Sequence, residues 1–264
     1  MVQIQFETEK QAARILEILK KQHVCEEQLS YITYDEDRII SISFAEHNMA
    51  SIIQLIRDVF LTFIQEDLLP KWLLKIVSDK FFYTEKDECH EIVDIALTIM
   101  NENESPYEDF WNELQLKIYY GLVHIFERDV SFSFPSFLAF RMRGVMDRLI
   151  EFVGDAIDEY KMEQEYQSFV YALRNYMLSI TPKVKQLHVL HQYYFHFYTE
   201  KFTKIDRVKL RKYIDRNLHK NYPMYIDSSV LAPLVSIAPN HLFIYSDEDN
   251  HPLILTIQRI FAER

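Results

Sequence analysis

Three histidines lie within nine positions, His188, His191 and His196 in "QLHVLHQYYFHFYTEK". Their type and spacing suggest chemistry because neutral imidazole is a ready ligand for zinc and its neighbours. The surrounding alternation reads as strand, where positions 188 and 196 share a face about 26 Å apart if unbent, while 191 points away. Three ligands would need a turn between them, so no metal is expected and the histidines are read as surface positions of a hairpin.

The stretch "SFPSFLAFRMRGVMDRLIEF" concentrates phenylalanine and arginine around a glycine. Taken as a helix over 138–160, Leu138, Met142, Val145, Leu149, Phe152, Val153, Ala156, Ile157 and Tyr160 fall in one apolar arc of roughly 160°. Arg141, Arg143, Asp147, Arg148, Glu151, Asp155 and their neighbours fill the other side, as a solvated face would. Phe140, Gly144 and Gly154 also project there, and an exposed helical glycine costs about 1 kcal/mol relative to alanine. Two readings stay open: a plain surface helix, or an anion or partner site formed by Phe140, Arg141, Gly144, Arg148 and Gly154.

In "KFTKIDRVKLRKYIDRNLHK", residues 201–220, eight Lys and Arg face Asp206 and Asp215, leaving +6 inside a chain of net charge −11. A helix over 206–220 aligns Lys209, Lys212, Arg216 and Lys220 on one side. That stripe is either a solvated basic face or a dock for an acidic or phosphate-bearing partner. No aromatic residues interleave with it, so nucleic acid is an alternative and not the favoured partner.

Other chemistries fall away. The acids Glu102, Glu104, Glu108, Asp109 and Glu113 crowd a helix start, where they complement the dipole. Cys25 and Cys89 cannot form a thiolate zinc site or a CxxC pair within one chain. The three glycines, at 121, 144 and 154, all lie in helical sequence, which excludes the P-loop and the dinucleotide fingerprint. No GxSxG, HExxH or EF-hand pattern occurs. Catalytic residues, cofactors and metals are therefore assigned to none of these positions, and the leaning is against an enzyme. An enzyme without a recognisable motif is kept as a further alternative.

The elements that carry these residues follow from periodicity. "VQIQF" reads as a strand, "EKQAARILEILKKQ" as a helix, and "LSYITYDEDRIISISF" as a hairpin. Helices follow near 48–66, 69–82, 86–102, 107–127, 135–160 and 163–179, with "DVSFSF" as an extended connector. After Pro182 come one or two strands, the basic helix, a helix interrupted at Pro233, the strand "HLFIYS" and a helix begun by Pro252. The expected class is α+β and predominantly helical: a helical block, 47–182, flanked by small mixed units at 1–46 and 183–264. Whether the two mixed ends share one sheet is not decided by sequence. With 19 Phe and 17 Tyr the core is unusually aromatic. Neither a signal peptide nor a membrane span is expected, because "MVQIQFETEK" has no apolar core and "LLPKWLLKIV" is broken by Pro70, Lys71 and Lys75.

Several of these motifs occur together in a known family. The helix start at Phe137, Phe140, Arg141, Met142 and Arg143, the Glu163 and Glu165 pair before Tyr166, "LHVLHQ", and the "SIAP" turn at 236–239 resemble the YtxC-like family. The likeness covers roughly residues 107–262. What the resemblance implies is a cytoplasmic protein of an endospore-forming bacterium, linked to sporulation. The family supplies no catalytic or cofactor residues to carry over. The reading is a sporulation protein of unassigned activity acting as a non-catalytic interaction or regulatory factor with a protein partner.

Overall fold

Alternation in "VQIQ" places Val2 and Ile4 inward, and both are buried in strand β1, Val2–Gln5. Strands β2, Ile32–Asp35, and β3, Ile39–Ile42, form the expected antiparallel pair, and β3 also pairs antiparallel with β1. The structure, a computed structural model, describes residues 1–22, 32–35, 38–101, 108–215 and 229–262. Between β1 and β2 runs helix α1, Glu9–Lys21, whose first turn is capped by the Thr8 hydroxyl accepting from the Gln11 amide.

The connector "DVSFSF" does more than connect. Phe132–Ser133 forms strand β4, parallel to β1 with Ile4 opposite Phe132, so a four-stranded sheet runs in the order β2-β3-β1-β4. Ser131 Oγ accepts from the Gln3 amide, and the Phe132 ring packs tilted against Phe137 at 5.3 Å, contacts that support the extended conformation.

Helices follow close to their expected bounds: α2 at Met49–Phe63, α3 at Leu69–Phe81, α4 at Lys86–Asn101 and α5 at Glu108–Glu127. A π-helical turn, Ile64–Leu68, joins α2 to α3, and Arg14 of α1 holds it through Asp67 at 2.9 Å and Glu66 at 2.7 Å. The Asp67 and Glu17 carboxylates raise the already high pKa of the Arg14 guanidinium further.

The expected break near residue 160 lies instead at Met142. Helix α6, Phe134–Arg141, ends there, and α7 then runs unbroken over Arg143–Ser179. The Met142 amide closes α6 on the Leu138 carbonyl at 2.7 Å, while its own carbonyl accepts from Val145 and Met146 at 3.0 Å. Met142 is buried at the corner. Residues 161–167, KMEQEYQ, are good helix formers, so nothing local stops α7.

The chain divides into two compact units, Met1–Tyr160 and Lys161–Arg264, with α7 contributing residues to both. In the first unit a single buried cluster runs from Val2 to Tyr160, so the first sheet and the helices share one core. Full burial of a Leu, Ile or Phe in it contributes roughly 1.5–3 kcal/mol.

The second unit has its own four-stranded sheet, in the order β7-β6-β5-β8, so among the described residues the two mixed ends do not share one. Strands β5, Gln186–His191, and β6, Phe195–Thr199, form the hairpin. Strand β7, Lys204–Ile205, adds to β6, and β8, His241–Ser246, pairs parallel with β5. The basic segment begins a helix, α8, but that helix covers only Arg207–Arg211. Past it the Tyr213 carbonyl accepts from Lys183 Nζ and the Asp215 amide donates to Ser236 Oγ, bonds that pull the backbone off the helical path. Helix α9, Leu231–Ile237, is wholly buried. Pro233 does not kink it, because within the first turn its missing N–H would have no intrahelical partner. Helix α10, Pro252–Ile260, closes the unit, and the fold is α+β and predominantly helical. Among the described residues no helix is long and apolar enough to cross a membrane.

Candidate functional site

Strand alternation gives the second sheet two different faces. Leu187, Val189, Phe197 and Ile244 point into the core, packed with Leu173, Leu234 and Ile257 from α7, α9 and α10. On the opposite face the register lines up Lys204, Tyr198, His188 and Phe243 across all four strands, with His196, Leu190 and Tyr245 as the next row. Phe243 and Tyr245 are 42% and 43% exposed, far above what a covered sheet allows.

His188 does not lie on the surface, contrary to expectation. It is 6% exposed because Phe202 stacks on it at 4.4 Å and Phe243 at 4.9 Å, while its Nδ1 meets the Tyr245 hydroxyl at 3.0 Å. Phe202 itself is 65% exposed and sits at φ 54°, a left-handed conformation that a bulky side chain avoids. The β6–β7 turn imposes it: the Phe202 amide donates to the Thr199 carbonyl, and the Thr199 amide to the Thr203 carbonyl. These rings surround an apolar cavity of about 250 Å³ lined by His188, Leu190, Tyr198, Phe202 and Tyr245.

His191 points to the other face, as the strand alternation requires, and is buried too, at 4%. Parallel pairing with β8 sets it opposite Ser246, whose Oγ lies 3.1 Å from His191 Nδ1 and accepts from the Glu248 amide at 2.9 Å. The His251 ring stands 4.6 Å from that of His191, and its Nδ1 accepts from the Leu253 amide as the N-cap of α10. Phe195 packs against both imidazoles. One ligand atom from each of His191, Glu248 and His251 lies within 4.8 Å of the other two. Sequence reasoning weighed His191 only together with His188 and His196 and expected no metal; it did not bring Glu248 and His251 beside it. Both follow β8 in "SDEDNHP", which reads as a helix start, and His251 is the cap of α10.

In the first unit Arg148 donates to Glu113 at 2.9 Å and lies over the Phe110 and Phe152 rings. Lys117 and then Arg148 hold the Glu113 carboxyl below the usual carboxylate range. Arg141 lies over the ring of Phe140, which is 77% exposed. A Cβ on Gly144 would meet only Lys117 Nζ at 3.4 Å, and one on Gly154 only Phe81 Cζ at 3.9 Å. The closely packed glycine is Gly121, where a Cβ would stand 2.8 Å from both Phe137 and Arg141. An apolar cavity of about 370 Å³ opens beside α6, lined by Phe134, Leu138, Met142 and Trp72 with Glu7 and Gln11 at its polar side. Of the basic stripe, Lys209 and Lys212 are exposed, and Lys209 lies in α8 and Lys212 just past its end. Arg216 and Lys220 lie outside the described residues.

The profile of the YtxC-like family matches residues 54–264. An uncharacterised protein, YtxC of Bacillus subtilis (strain 168), is 33% identical over 267 residues, spanning 100% of this chain and 92% of its own length. No solved structure matches.

Proposed function

The chain belongs to the YtxC-like family, and from that premise we propose that it serves sporulation as a cytoplasmic, non-catalytic binding factor whose working surface is the open aromatic face of the second sheet. One observation carries this reading: Phe202, Phe243 and Tyr245 remain exposed around a buried histidine, with Phe202 held in a conformation that bulky residues avoid. Backbone strain of this kind costs on the order of 1–3 kcal/mol and tends to mark ligand clamps and other functional sites. Exposed rings in one patch favour a partner that covers them.

The Arg141 and Phe140 pair at the end of α6, with Gly144, Arg148 and Gly154 beyond the corner in α7, is a second proposed contact surface, and Lys209 and Lys212 a third. Sporulation frequency in the host separates them. Replacing Phe202, Phe243 and Tyr245 together by Ser is expected to lower it, while Arg141→Glu with Arg148→Glu tests the other face. Normal sporulation with folded protein of the triple variant would sink the aromatic assignment.

A second reading, single-stranded nucleic acid as the partner, is favoured by Lys204 ending the same row as Tyr198, His188 and Phe243. Bases stacked on such rings gain roughly 1–3 kcal/mol each. Binding of a labelled oligonucleotide should then fall steeply with salt and fall again in Phe202→Ala and Lys204→Glu. Salt-independent binding, or none, would reject it.

A further inference from the structure

We propose that His191, Glu248 and His251 hold one divalent first-row transition metal ion, zinc or iron(II), through two imidazoles and one carboxylate. Two nitrogens and one oxygen suit these metals and leave coordination positions open. Magnesium and calcium prefer all-oxygen shells and are not expected to stay.

The geometry is close to that of a loaded site. Bonds of about 2.0–2.2 Å place neighbouring ligand atoms of a tetrahedral ion roughly 3.3 Å apart, against the 4.8 Å limit within which these atoms lie. Glu248 is exposed on the segment after β8, so its side chain is free to close that gap. His191 is the fixed member: it is buried on the sheet, and Phe195 walls it at 4.4 Å. Ser246 supplies the outer support. With a metal on His191 Nε2, the Nδ1–H donates to Ser246 Oγ, whose second lone pair already accepts from the Glu248 amide. One hydroxyl thereby orients two of the three ligands.

His251 links the site to α10. Its Nδ1 lone pair accepts from the Leu253 amide at 3.2 Å, which puts the ring proton on Nε2. A metal on Nδ1 displaces that bond, and a metal on Nε2 moves the proton to Nδ1 and breaks it as well. Loading therefore frees the Leu253 amide, a change that binding at another surface histidine would not produce.

The test uses the full chain without a histidine tag, stripped by chelator and titrated with cobalt(II), with zinc(II) or anaerobic iron(II) as competitor. One equivalent should bind with visible absorption bands. His191→Ala and His251→Ala should each weaken binding by more than roughly 100-fold, and Ser246→Ala by roughly 10-fold. His188→Gln with His196→Gln, on the other face, should leave binding intact. Glu248→Gln, a surface change, reports ligand loss should a histidine variant misfold. Faster hydrogen exchange at Leu253 on loading completes the expected result. The proposal falls if no equivalent binds, if Glu248→Gln and Ser246→Ala bind as tightly as the parent, or if Leu253 is unchanged by bound metal. A four-coordinate cobalt(II) spectrum favours zinc, and a six-coordinate one favours iron(II), because raw affinity orders zinc above iron(II) at most such sites.

Discussion

Replacing each glycine of the first unit by alanine should have opposite effects at two of the three positions. Gly154 lies mid-helix in α7, where alanine gains about 0.5–1 kcal/mol from reduced backbone freedom in the unfolded chain, and its new methyl would meet Phe81 at 3.9 Å, an ordinary contact. Gly121 is buried in α5, and its Cβ would stand 2.8 Å from Phe137 Cε2 and Arg141 Nε. Carbon atoms rest at about 3.5–4.0 Å. Arg141 can swing aside, but Phe137 is 6% exposed and its ring packs against Phe60 and Phe132, so it can yield only by disturbing the core. Overpacking of this kind costs about 1–3 kcal/mol, and subtracting the helix gain of about 1 kcal/mol leaves Gly121→Ala destabilised by about 1 kcal/mol. The two variants should then differ by about 2 kcal/mol. Urea unfolding followed by tryptophan fluorescence measures this directly, because both tryptophans, Trp72 and Trp111, belong to the same unit as the glycines. Should Gly121→Ala prove as stable as Gly154→Ala, the claimed close approach of α5 to α6 is refuted.

Three further outcomes follow from the contacts. Glu113 titrates below the usual carboxylate range, so the stability it contributes is present above the unfolded carboxyl pKa of about 4.3 and is lost as pH falls through the lower folded value. Arg148→Ala should weaken that acid dependence in a fluorescence titration, and leave it unchanged if the pairing with Glu113 is incidental. Burial, and then the hydrogen bond to Asp215, pushes the Tyr176 hydroxyl up. Its contribution is complete below about pH 10 and is lost as pH rises toward the folded value, so Tyr176→Phe should flatten the alkaline limb of a circular-dichroism melt series and cost about 1.5–3 kcal/mol at neutral pH. At Phe202, glycine should be more stable than alanine by about 1 kcal/mol, because only glycine adopts φ 54° without strain; equal melting temperatures would show that the turn relaxes.

Helix positions were legible because proline breaks and apolar spacing are local signals. Val145, Leu149, Phe152, Val153 and Tyr160 are buried as the helical wheel requires. The corner at Met142 was not legible, since no proline marks it and an uninterrupted helix would bury Met142 as well. Strands β4 and β7, two residues each, are too short to show a period, and the parallel pairing of β5 with β8 joins positions some 55 residues apart. That distance also explains the site. The alternation around His188 and His191 told which faces they take, but the partners that bury them, Phe202, Phe243 and His251, arrive from other elements. The basic stripe was read by extending a helix whose end is set by tertiary bonds from Lys183 and Ser236.

The pairing of β1 with β4 has a consequence for synthesis on the ribosome. One edge of β1 meets β3 as soon as residue 42 has emerged, but the other has no partner until Phe132 does. At about 5–20 residues per second that interval lasts on the order of 5–20 s, during which an apolar strand edge is open to any neighbouring chain. The first unit is therefore most exposed to aggregation as a nascent chain, and a slowly translated or truncated message is where that vulnerability would surface.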